Sequence, residues 1–391
     1  MSNKLLVPRI RFKEFTNAWE QWKVGDLITE RIEFTKESNE FPLMAFVANE
    51  GVVAKGERYD RSSLVRDIYN KIYKITKYGD FIYSSNNLDR GSIGANKYGN
   101  ACISPVYSIF KCTNSSDHNF IKNILSRHSF VNKLLRYRQG VVYGQLKIHE
   151  SIFLNINLNS PSILEQNKIG KIFYNLDSLI TLHQRKLLSL KNLKSRLLDR
   201  MFCDEKSQFP SIRFKEFTNA WEQWKLSDLA YKINRFNAHE SVKIPLTVSA
   251  QHGLVAQLSF FKNQVMGKNI RKYQVIHKGE FSYNKSPSEG FPFGVVRRLN
   301  NYEKGLLSPV YVIFGVHEDK VNSDFLSIIF NTYEWNKNLA PNIKKGARIL
   351  LNISDNDFFN VNLTAPSTQV EQENIAKLIY KLDSLITLHQ A

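Results

Sequence analysis

The stretch IRFKEFTNAWEQWK runs from Ile10 to Lys23 and returns letter for letter from Ile212 to Lys225. It opens a repeat that continues through the chain. FPLMAFVANEGVVAK (Phe41 to Lys55) is matched by IPLTVSAQHGLVAQ (Ile244 to Gln257), and YKITKYGDFIYSSN (Tyr73 to Asn86) by YQVIHKGEFSYNKS (Tyr273 to Ser286). SPVYSIF (Ser104 to Phe110) returns as SPVYVIF (Ser308 to Phe314), and LDSLITLHQ occurs at Leu176 to Gln184 and again at Leu382 to Gln390. A short period would imply a solenoid, whereas a period of about 200 residues implies two whole domains of one fold. Between the matching blocks the halves differ strongly. Common segments suit something both copies must build or contact, and divergent interiors suit two different targets.

At 391 residues each half is long enough to bury its own core. No apolar run could cross a bilayer, and the first residues lack the apolar core of a secretion signal. Cys102, Cys112 and Cys203 form no CxxC pair and no Cys/His cluster of the kind structural zinc needs, so a reduced, cytoplasmic protein without metal is expected. The excess of 54 Lys+Arg over 36 Asp+Glu, a net charge of +18, favours a polyanionic partner. The cations are spread along the chain rather than gathered on one amphipathic helix, which disfavours a membrane surface.

Within a half, LMAFVA, GDFIYSS and SPVYSIFKC are rich in β-branched and aromatic residues and predict strands of a mixed or mainly antiparallel sheet. Turn-spaced apolar residues predict a helix over Asn119 to Arg138, so the domain is α+β. From Ser162 onward Ile169, Ile172 or Phe173, Leu176, Leu179 or Ile180, Leu187, Leu190, Leu193, Leu197 and Met201 form a heptad-like seam, interrupted by His183. Ser162 to Glu165 and Thr368 to Glu371 both have the S/T-x-x-E form of a capping box. The second copy has a like seam through Ile375, Leu378 or Ile379, Leu382, and Leu385 or Ile386 to His389. The first continues past LITLHQ with RKLLSLKNLKSRLLDRMF, while the second closes on LITLHQA. Two such helices bury their seams most economically against each other, as an antiparallel coil. His183 and His389 suit a register-fixing role in it better than that of a base.

The sequence holds no phosphate loop, dinucleotide fingerprint, HExxH or nucleophile elbow, and no Pro-Pro of the kind amino-methyltransferases use to hold a base. SPSEGFPFG (Ser286 to Gly294) lacks the strand and helix context of a cofactor loop, and Asp204 to Lys206 suit a solvated linker. What remains is basic and amide side chains interleaved with aromatics in the divergent regions: Tyr83 to Asn100 and Arg136 to Lys147, then Tyr283 to Gly305 and Asn342 to Arg348. Such residues grip phosphates and read base edges. The expected DNA contacts are Ser84, Asn86, Arg90, Lys97, Arg138 and Lys147 in the first half, and Lys285, Arg297, Arg298, Lys344, Lys345 and Arg348 in the second.

The doubled RFKEFTNAWEQWK opening, the SPVYSIF/SPVYVIF strand, the glycines of RQGVVYGQLK and KKGARILLN, and the LDSLITLHQ helices together resemble the specificity subunits of type I restriction-modification enzymes, over essentially the whole chain. The resemblance implies two target recognition domains, each reading one half of a bipartite double-stranded DNA site. They are separated by helices that pair as a pseudo-twofold antiparallel coiled coil and set the spacing. It implies residues 1–160 as the first domain, 161–202 as the central helix, 203–367 as the second domain and 368–391 as the distal helix. It also implies no catalytic residue in this chain. Two modification subunits would carry S-adenosylmethionine, and two restriction subunits would use ATP and Mg. The alternatives are a standalone DNA methyltransferase or nuclease and, from another class, a coiled-coil adaptor whose charge is incidental.

Overall fold

The computed structural model describes residues 7–54, 71–140, 146–203, 207–261, 267, 269–344 and 351–390. The chain divides into two compact units, Met1–Leu182 and His183–Ala391. Among the described residues no helix is long and apolar enough to cross a membrane.

In the first unit the opening segment ends in the strand Glu20–Lys23, which pairs antiparallel with Asn157–Ser160 and sets Trp22 opposite Leu158. The Asp26 carboxylate then accepts the Lys23 N–H at 2.8 Å and turns the chain into the short helix Val24–Leu27, whose Val24 and Leu27 are buried. A four-stranded antiparallel sheet follows, in the order Ile28–Glu30, Ser108–Cys112, Phe81–Tyr83, Ile93–Ala95. Its inner face carries Phe81, Tyr83 and Phe110 into a core shared with Phe120, Leu134 and Phe153. Phe153 lies 4.8 Å from Phe110 and 5.0 Å from Tyr83 between ring centroids, the spacing at which aromatic quadrupoles attract.

The second unit repeats this plan. Glu222–Lys225 pairs with Asn362–Ala365, with Trp224 opposite Leu363. Asp228 accepts the Lys225 N–H at 2.8 Å. The sheet order is Ala230–Lys232, Val312–Val316, Phe281–Asn284, Val295–Arg298. The α+β class and mainly antiparallel pairing expected from the sequence are both present.

Two local expectations are corrected. The segment from Asn119 to Arg138 forms two helices, His118–Leu125 and His128–Leu135, because Arg127 adopts an extended conformation (φ −63°, ψ 139°). The break lets both short helices turn apolar faces into one core, with Phe120, Leu125 and Leu134 all buried. The capping box between Thr368 and Glu371 does not form either. Thr368 makes no side-chain cap bond, and both glutamates are bonded elsewhere.

Arg11 Nε and Nη2 donate to the two carboxylate oxygens of Glu165 at 2.8 and 2.7 Å, and Trp19 Nε1 donates to the same group at 3.3 Å. In the second unit Arg213 grips Glu371 at 2.7 and 2.8 Å, and Trp221 Nε1 donates at 3.2 Å. Both carboxylates are buried. Their hydrogen bonds hold the guanidinium groups above the ordinary arginine pKa, against the opposing effect of burial. The duplicated opening segment is therefore clamped to the helix that closes its own copy. Its aromatics are mostly half-buried, with Trp221 fully so.

The central helix runs from Ile163 to Arg200 and the distal helix from Gln369 to Leu388. Within the second unit Lys194 pairs with Asp383, and His183 meets His389. Rising numbers on one helix face falling numbers on the other, so the pairing is antiparallel. Leu197 and Leu198 pack on the cluster that holds Ile375, Ala376 and Ile379. The seam of the distal helix is covered, with Leu382 7% and Ile386 8% exposed. Their counterparts in the first unit, Leu176 and Ile180, are 47% and 55% exposed.

Candidate nucleic-acid interface

In each unit the structure joins the two divergent loops that the sequence singled out. In the first, the loop after Phe81–Tyr83 meets the hairpin Gln139–Gly140 with Leu146–Lys147. The Asn86 side-chain oxygen accepts the Leu146 N–H at 2.6 Å, Ser85 Oγ accepts the Ile148 N–H at 3.1 Å, and Arg138 donates to Asp89 at 3.1 Å. The hydrogen bond from Arg138, more than any other influence, holds Asp89 below the usual carboxylate pKa.

In the second, the loop after Phe281–Asn284 meets the segment around Lys344 and Asn352. The Leu351 N–H donates to the Lys285 carbonyl at 2.9 Å, and the Lys344 N–H to that of Asn352 at 2.9 Å. Lys285 Nζ reaches the Ile353 carbonyl at 2.9 Å and Asp355 at 3.1 Å, and Lys232 reaches Asp355 at 2.6 Å. Burial alone would raise the Asp355 pKa, but the two ammonium groups bring it below its ordinary value. The same sheet position thus carries a paired-loop surface in both units, built from different sequences.

The expected contact residues occupy unlike places. Asn86, Arg90, Lys147 and Lys344 are exposed. Ser84 is buried, its N–H bonded to the Ser92 carbonyl at 2.9 Å. Arg138 and Lys285 lie at the loop junctions with acidic partners. Lys97 is carried to the central helix, where it meets Asp177 at 3.2 Å beside Lys122. Arg297 donates to the Val296 carbonyl and to Asn331, both at 2.9 Å, and sits over the Phe291 ring; burial lowers its pKa. Arg298 is bonded to Ser323 at 2.8 Å and to Asp324. Lys345 and Arg348 lie outside the described residues. Exposed Arg136 and Tyr137, beside Arg138, complete the first surface. They lie in the stretch from Arg136 to Lys147 singled out above, and their solvent-facing side is visible only in the fold. Among the described residues no three His, Cys, Asp or Glu side chains gather as a metal site.

Comparison with known proteins adds a family match over part of the chain and a likeness of fold. Residues 17–192 match the family model described as "Type I restriction modification DNA specificity domain". The fold is similar to the crystal structure of a type I restriction-modification system S subunit from M. genitalium, at 12% identity and a TM-score of 0.53, covering 98% of this chain and 94% of that one. It is also matched to the HsdS subunit from Thermoanaerobacter tengcongensis, at 14% identity and a TM-score of 0.45, covering 95% and 90%.

Proposed function

We propose that this chain, whose residues 17–192 match the family model for the type I restriction modification DNA specificity domain, is the DNA-recognition subunit of a type I restriction-modification complex and has no catalysis of its own. Each unit reads one half of a bipartite site, and the paired helices set the gap between the halves. The observation that carries this is the paired-loop surface, equivalent in position and different in sequence in the two units. Exposed Asn86, Arg90, Lys147 and Lys344 are the side chains placed to reach bases or phosphates. Arg138 and Lys285 order the loops, and Ser84 supports them from beneath. Two unlike surfaces of this kind suit two unlike half-sites.

The clamped opening segments offer two nearly equal docking places for two modification subunits, which would bring S-adenosylmethionine, and the open seam at Phe173, Leu176 and Ile180 is apolar surface suited to the same purpose. Two restriction subunits using ATP and Mg complete the proposed assembly. Exchange of residues 212–367 for the corresponding region of another such chain tests the reading. In the assembled complex one half of the methylated sequence should change and the other stay. If both halves stay unchanged, the modular reading fails.

A further inference from the structure

His183 of the central helix and His389, which follows the distal helix as its C-cap, are counterparts in the repeat, and in the structure they touch. Their Nδ1 atoms are 3.2 Å apart, with ring centroids 5.3 Å apart and planes at 49°. Two imidazoles so placed can share a proton, or turn two lone pairs onto one cation. For a tetrahedral ion with metal–nitrogen bonds of about 2.0–2.1 Å, the ligand nitrogens stand roughly 3.3 Å apart. The observed Nδ1–Nδ1 separation is close to that bite, and rotation of the two rings would turn both lone pairs onto one ion.

Partial burial first, and then Lys186 and His183, lower the His389 pKa from the ordinary imidazole value. Lys186 of the central helix is a charged group near the pair. The next ion pair between the two helices, Lys194 with Asp383, is complete in itself.

We propose that His183 and His389 form a two-histidine site for a divalent transition-metal ion of the zinc, nickel and copper class, clipping the distal helix to the central one. Imidazole donors suit these ions and not magnesium or calcium. Water completes the coordination, so the site binds and releases the ion reversibly. Occupancy adds a bond between two helices that also meet through a seam and the Lys194–Asp383 ion pair, and it locks their register.

The test uses the full chain stripped with chelator and titrated with Zn²⁺ by calorimetry, with thermal unfolding followed in parallel. The wild type should take up one zinc per chain, with a raised unfolding temperature. His183→Ala and His389→Ala should each abolish this binding. His239→Ala, at an exposed loop position, should retain it. Cu²⁺ in place of zinc should show two nitrogen ligands by electron paramagnetic resonance in the wild type, and fewer in either variant. Unchanged zinc binding in His183→Ala or His389→Ala, or none in the wild type, would overturn the proposal. Both side chains lie on the helix surface, so far-UV circular dichroism should show the variants folded.

Discussion

Arg11 with Glu165 and Arg213 with Glu371 show how one residue's role is decided by what the fold brings near it. The S/T-x-x-E spacing is a sound helix-start signal, and the helices do start there. The glutamates nevertheless turn away from the cap, because an arginine and a tryptophan more than 140 residues earlier in the chain offer three hydrogen bonds to a buried carboxylate. A charge at 2% exposure is tolerated only when so paired. Glu371→Ala would leave Arg213 half-buried and uncompensated. The expected cost is about 3 kcal/mol in urea unfolding of the second unit, the range for breaking one side of a buried pair. A loss no larger than that of an exposed surface substitution would show the clamp to be incidental.

Helix periodicity was legible in the sequence, but which part of each seam is covered was not. The nine letters LDSLITLHQ occur in both helices, so every local propensity is equal, yet Leu382 is buried and Leu176 half-exposed. The difference lies in the central helix beyond His183, which runs antiparallel beside the distal helix and is tied to it at Asp383 and His389. Leu382→Ala should therefore cost about 2–3 kcal/mol through lost burial and a residual cavity. Leu176→Ala should cost well under about 1 kcal/mol in the isolated chain. Equal losses by denaturant titration would contradict the uneven covering of the seam. The split between His118–Leu125 and His128–Leu135 was hidden for a related reason. No Gly or Pro marks the stop, and Arg127 leaves the helical region because two short helices bury Phe120 and Leu134 better than one long one.

For the whole molecule, the spacing role proposed for the helices makes a length prediction. One added heptad in each helix lengthens the pair by about 10 Å at ~1.5 Å per residue, close to three base pairs at ~3.4 Å each. The unread gap in the methylated sequence should grow by that amount with both half-sites unchanged; a constant gap would remove the helices from the spacing role. The sequence by itself determined the duplication, the α+β class, the two seams and the choice of divergent loops, because repeats, alternation and helical period are properties of neighbours along the chain. It did not determine which of these side chains stay open to solvent and which the fold engages. Asn86 and Lys147 stayed exposed, Lys97 was drawn to Asp177, and Arg297 and Arg298 were taken up by partners in the folded second unit. Those outcomes turn on charges and carbonyls far away in sequence. Only the tertiary structure could decide them, since burial and ion pairing depend on distance in space, which spacing along the chain does not encode.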